Sequence, residues 1–136
     1  MADTATAALV RRAVEDIWNR GELVMADEIF ASDYVNHAGL ITNLVRGPEA
    51  IKISVALYRT AFSDLQITID ELTAHHDAVL IRWTARSKIA QGTLTGILIN
   101  RVAGDQIVES WAQWDQAGVL ERLGLRPANA PSPASL

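Results

Sequence analysis

The chain has 136 residues, 49% apolar and 21% charged, with a net charge of −4 and no cysteine. One domain of this length buries roughly two-thirds of its unfolded surface and has room for one modest pocket. The acidic balance argues against nucleic acid as a main partner, because phosphate binding needs clustered Lys and Arg; the missing cysteines exclude disulfides, thiolate catalysis and Cys-ligated zinc.

The N-terminal MADTATAALV has no basic region ahead of an apolar core, so no signal peptide is expected. No stretch reaches the ~18 apolar residues of a membrane helix, and a cytoplasmic location is the default. Over 5–20, Leu9, Val10, Ala13, Val14, Ile17 and Trp18 recur at helical spacing, and Gly21 stops the run. A second short helix is predicted over about 23–31, with Met25, Ile29 and Phe30. SDYVNHAG reads as a short extended piece, and 40–46 as a loop. Gly47-Pro48-Glu49 opens a third helix with Pro48 in its first turn and a stripe of Ile51, Val55, Leu57, Tyr58 and Phe62.

Beyond Asp64 the period changes to two. LQITIDEL, HHDAVLIRWTARSKI, GTLTGILINRV and IVESWAQWD are four predicted strands, with AGDQ (103–106) a hairpin turn between the last two. QAGVLERLG is a predicted closing helix, and RPANAPSPASL a Pro/Ala/Ser-rich tail. One domain over 1–126 with a tail at 127–136 is expected. Helices followed by antiparallel strands mean an α+β fold: a curved sheet wrapped by the early helices into a cone with an open mouth.

In a regular strand, Ile107, Glu109, Trp111, Gln113 and Asp115 share one face. A carboxylate beside indole rings is desolvated, which raises its pKa and suits it to general acid/base work. Asp115 equally well N-caps the closing helix, and spacing alone slightly favours the cap. His37 is more often structural than catalytic in such a setting; facing the same cavity as Asp115, it would polarise a carbonyl or share a proton. Trp83 reads as core or pocket wall, with Arg82, Arg86 and Lys88 on a solvated face. His75 and His76 fall at a turn, and adjacent histidines diverge on extended chain, so no metal site is expected. There is no G-x-S-x-G elbow and no Gly-rich phosphate loop.

Taken together, IWNRGELVMADEIFASDYVNHAG, GPEAIK, AFSDLQITIDEL and INRVAGDQIVESWAQWDQAGVLERLG resemble the SnoaL-like polyketide cyclase family, within the nuclear transport factor 2-like superfamily. The resemblance spans about residues 9–125. It implies a strongly curved mixed or antiparallel sheet, three N-terminal helices, a short C-terminal helix, and pairing of two copies through their sheets. It also implies a ring-closing intramolecular aldol condensation with neither metal nor organic cofactor. By resemblance Asp115 is the general acid/base and His37 its assistant. Trp111, Gln113, Trp83, Tyr34 and Phe62 are the expected walls of a pocket for a small apolar or aromatic molecule. TARSKIAQGTL is shorter than the family's matching segment and lacks its histidine, so the pocket rim differs. A non-catalytic binding module and another cofactor-free isomerase, dehydratase or hydrolase are the alternatives on this fold.

Overall fold

The structure, a computed structural model, describes residues 2–37, 45–89 and 92–114. The closing helix, the tail and Asp115 lie outside the described residues.

The first helix, α1 (Ala2–Arg12), widens into π-helical turns over Ala13–Asn19 and buries Val10, Ala13, Val14 and Ile17, the stripe expected from spacing. Gly21, at φ 74°, turns the chain where a side chain would be strained. A 3₁₀ turn (Leu23–Met25) leads into α2 (Ala26–Ile29). The expected second helix therefore ends early, and β1 (Phe30–Asn36) already starts at Phe30. Apolar residues at 25, 29 and 30 fit a helix stripe, but Phe30 and Ala31 are both buried and the chain is extended there. The third helix, α3 (Pro48–Ala61), buries Ala50, Ile51, Ser54, Val55 and Tyr58.

Four further strands follow: β2 (Gln66–His75), β3 (Ala78–Ser87), β4 (Gly92–Ala103) and β5 (Gln106–Trp114). The sheet order is β1-β5-β4-β3-β2. The last four strands form an antiparallel meander, and β1 joins parallel to β5. The sheet is thus mixed, curved and open. Gly104 and Asp105, both at positive φ, make the tight turn expected at AGDQ.

Among the described residues the helices cover one face of the sheet. Val79 and Ile81 of β3, Ile107 of β5 and Tyr34 of β1 join Val10, Ile17, Ile29, Ile51 and Val55 in the main core. At the far edge, Asn19 accepts from the Ile67 backbone N–H at 2.7 Å and donates to its carbonyl at 2.9 Å. Arg59 donates to the carbonyls of Trp18 and Asn19, tying α3 to the end of the first helical run. At the opposite edge the N–H of Gly47 donates to the Tyr34 carbonyl at 2.8 Å. A Cβ on Gly47 would lie 2.5 Å from the Ser32 carbonyl oxygen, so only glycine permits this approach.

Candidate functional site

The inner, helix-covered face of the sheet carries Leu94, Gly96, Leu98 and Asn100 from β4, which pair with Ala85, Trp83, Ile81 and Val79 of β3. It continues across β5 through Trp114, Ala112 and Ser110. Toward one end of this face, aromatic rings gather. Trp18 lies 5.6 Å from Tyr58 between ring centroids, Tyr58 5.7 Å from Trp114, and Trp114 6.1 Å from Trp83. Phe62, Leu65, Ala85 and Leu94 pack with them. This packed aromatic cluster, the chamber, is distinct from the aliphatic core, although Trp18 and Trp83 touch both.

Its geometry depends on a glycine. Gly96 sits opposite Trp83 on one side and Trp114 on the other. A Cβ there would come within 2.4 Å of the Trp83 ring. The missing side chain lets the Trp83 indole lie flat across β4, toward Trp114.

Polar groups on the inner face fall into two sets. Deep in the core, Tyr34 is 1% exposed, packs edge-on against Phe30, and its hydroxyl is hydrogen-bonded to the Ser110 side chain. Ser110 in turn donates to Asn100 Oδ1 at 2.6 Å. Burial pushes the Tyr34 hydroxyl's pKa up, and Ser110 opposes the shift. Tyr34 is thus a satisfied core residue. In the chamber, Tyr58 is 8% exposed, and its hydroxyl finds no partner among the described residues. Burial raises its pKa well above the ordinary tyrosine value.

Trp111 and Gln113 do not join this chamber. Trp111 sits opposite Ile99 and Gln113 opposite Ile97, on the outer face of the sheet. The cause is a bulge early in β5. Arg101 pairs with Glu109 and Val102 with Ile107, which leaves Val108 without a partner. Ile107 and Ser110 therefore both face the core, at 1% and 2% exposure. Strict alternation puts 107, 111 and 113 on one face; the extra residue sends 107 inward and 111 outward.

His37 lies with Trp111, its ring stacked on the indole at 5.0 Å with an 8° interplanar angle. Its Nε2 donates to Glu109 Oε2 at 2.8 Å. Arg101 Nε donates to Glu109 Oε1 at 2.9 Å, and its Nη2 reaches the same oxygen. The Glu109 carboxyl is held below its ordinary value of 4.5, first by His37 and then by Arg101. Glu109 and Arg101 are additions to the site residues expected from sequence. Two charged residues facing each other across β4 and β5 are the readable signal, and the bulge sets their partner. His75 and His76 stand exposed at the β2–β3 end, with ring centroids 4.1 Å apart. Among the described residues no three His, Asp or Glu side chains are grouped to hold a metal ion, and no helix is long and apolar enough to cross a membrane.

A family model described as SnoaL-like polyketide cyclase matches residues 8–123. No curated protein matches. Among solved structures, a candidate polyketide cyclase of Bacillus cereus superposes with a TM-score of 0.77 at 20% identity, covering 91% of this chain and 83% of its own. IdmH, a candidate polyketide cyclase of Streptomyces antibioticus, gives 0.72 at 23% identity, covering 88% and 98%. AclR of Streptomyces galilaeus, a candidate hydroxylase, gives 0.70 at 22% identity, covering 92% and 99%. At these identities the likeness shows the fold, and fold alone does not fix chemistry.

Proposed function

Since the chain belongs to the SnoaL-like polyketide cyclase family, we propose that the aromatic chamber binds a flat, apolar carbonyl compound and that Asp115 is the general acid/base acting on it. The observation that carries this reading is the position of Trp114. It faces the chamber within 6.1 Å of Trp83 and 5.7 Å of Tyr58. The role of the next residue, Asp115, rests on its match to the family's acid/base position at the end of the last strand, since strict alternation would turn it to the outer face. Apolar and aromatic walls with few polar groups are the ordinary make-up of a small-molecule site.

The chemistry is a proton transfer at both ends of a ring closure. Asp115 takes a proton from the carbon beside a substrate carbonyl. The resulting enolate attacks a second carbonyl of the same molecule, forming the ring's carbon–carbon bond. The new alkoxide then takes the proton back from Asp115. No electrons are gained or lost overall, and the carboxylate ends as it began. A desolvated carboxylate has its pKa raised toward neutrality, where one group can serve as base and then acid.

The test is Asp115→Asn with a small aromatic polyketide ester. Asn caps a helix about as well as Asp, so folding holds whichever local role the residue plays. Ring closure is expected to fall on the order of a hundredfold or more, because an amide accepts no proton. Full activity in the variant would overturn the assignment. An Asn variant that binds the ester as the parent does, where neither cyclises it, would mark the chamber as a binding site only.

The outer face supports a second, independent element of this reading. Ile97, Ile99 and Trp111 stand 44%, 37% and 40% exposed on the outer face, with Trp111 paired to Ile99. Covering it by the same face of a second copy gives a closed homodimer, the usual way to bury such a patch.

A further inference from the structure

Tyr58 is the only buried side chain among the described residues whose polar atom has no hydrogen-bond partner. Buried hydroxyls in folded proteins are nearly always paired, and each exception calls for a reason. The chain itself supplies the contrast: Tyr34 is also buried, and its hydroxyl is bonded to Ser110. A phenylalanine at 58 would fill the same space without burying an unpaired group. Elsewhere among the described residues, buried polar side chains find partners, as where Ser87 and the Lys88 N–H both donate to Asp64.

The surroundings of Tyr58 define what the hydroxyl can meet. Trp18 and Trp114 flank its ring, tilted by 54° and 55°, and Leu65 and Ala85 complete the cluster. These side chains offer no acceptor: an indole only donates, and the rest are apolar. The hydroxyl is also a neutral donor throughout the working pH range, since burial moves its pKa upward.

We infer that the Tyr58 hydroxyl is the buried hydroxyl donor of the chamber to the oxygen of an aromatic ketone or ester, and so selects carbonyl compounds over hydrocarbons of the same shape. The inference rests on the chamber being the ligand site, as proposed above, and adds the residue that reads the ligand's oxygen. In the ring-closing reaction such a donor lies where negative charge develops. A neutral donor fixed in an apolar setting stabilises an enolate oxygen more than it stabilises the ground-state carbonyl. Sites built to hydrogen-bond a ligand group discriminate strongly against analogues lacking it, because the site's own polar atom is then left unpaired.

Isothermal titration calorimetry with 2-acetylnaphthalene and 2-isopropylnaphthalene tests the idea, using the full chain and Tyr58→Phe. The parent should bind the ketone about tenfold more tightly than the hydrocarbon, the effect of one buried hydrogen bond. Tyr58→Phe should erase that preference by weakening the ketone alone. Its melting temperature should equal or exceed the parent's, because no internal hydrogen bond is lost. A parent without the preference, or a variant that retains it, overturns the role of Tyr58 and leaves the chamber intact as a site. A marked fall in the variant's melting temperature also overturns it, by showing the hydroxyl to be structurally paired. Failure of both compounds to bind the parent overturns this inference together with the chamber reading itself.

Discussion

The two faces of the sheet handle polar groups in opposite ways. On the outer face, ionised groups come already matched: Glu109 holds both His37 and Arg101, and Trp111 covers the imidazole. The apolar remainder of that face includes Ile97 and Ile99, both exposed. On the inner face, the deep trio of Tyr34, Ser110 and Asn100 is satisfied, whereas in the chamber the buried Tyr58 hydroxyl has no partner among the described residues. On the reading proposed above, the unmatched hydroxyl in the aromatic enclosure serves the ligand, and the exposed aliphatic groups of the outer face serve pairing of two copies.

Gly96→Ala should disturb the inner side most. Its Cβ would lie 2.4 Å from the Trp83 ring, so the indole must leave its place over β4. Overpacking of this kind costs about 1–3 kcal/mol, to be read as a lower denaturation midpoint with an unchanged slope. Unchanged stability would show that Trp83 moves freely and that the chamber has no fixed form.

Ile97→Glu should leave the inner side alone and break the outer one. The substitution is at an exposed position, so the fold should change by no more than about 0.5 kcal/mol. Analytical ultracentrifugation should show a dimer turning into a monomer, because a carboxylate cannot be buried unpaired in an apolar interface. A parent chain that sediments as a monomer at micromolar concentration would remove the assembly half of the comparison.

A smaller effect concerns acid pH. Glu109 has its pKa lowered in the folded chain, so its contribution to stability is fully present above its ordinary value of 4.5. The contribution is lost as pH falls through the lowered folded value. Because the cluster is solvent-accessible, high salt should weaken it. Glu109→Gln should flatten the melting-temperature profile on the acid side and leave neutral pH nearly unchanged. A parallel acid profile in parent and variant would show the cluster to be energetically silent. The smallest effect is expected from deleting 127–136, a segment with three prolines and little apolar bulk. A melting shift beyond about 5 °C, roughly 1 kcal/mol, would show that this segment packs on the domain.

Much of the fold was legible because its signals are local. The stripe from Val10 to Ile17, the turn at Gly104–Asp105, and the division of β4 into Leu94, Leu98 and Val102 against Ile97 and Ile99 follow from periodicity alone. The site was less legible because one unpaired residue, Val108, reverses the alternation that assigns faces. Trp111 and Trp83 look like neighbours in a period-two reading and end on opposite sides. Gly96 and Tyr58 carry no motif. Their importance arises only when β3 is laid beside β4, and α3 across them. The parallel pairing of β1 with β5 is likewise non-local, joining Phe30 to Ile107.

The Asn19 tie to β2 has a consequence for how copies of this chain can meet. β2 is a sheet edge, and an open edge invites strands from other molecules to add on. The side-chain amide of Asn19 imitates a peptide unit, occupying both the N–H and the C=O of Ile67 that an incoming strand would need. At the other edge, Gly47 takes up the outward carbonyl of Tyr34. Edge-to-edge addition of a foreign strand is thereby blocked at Ile67 on one margin and at Tyr34 on the other.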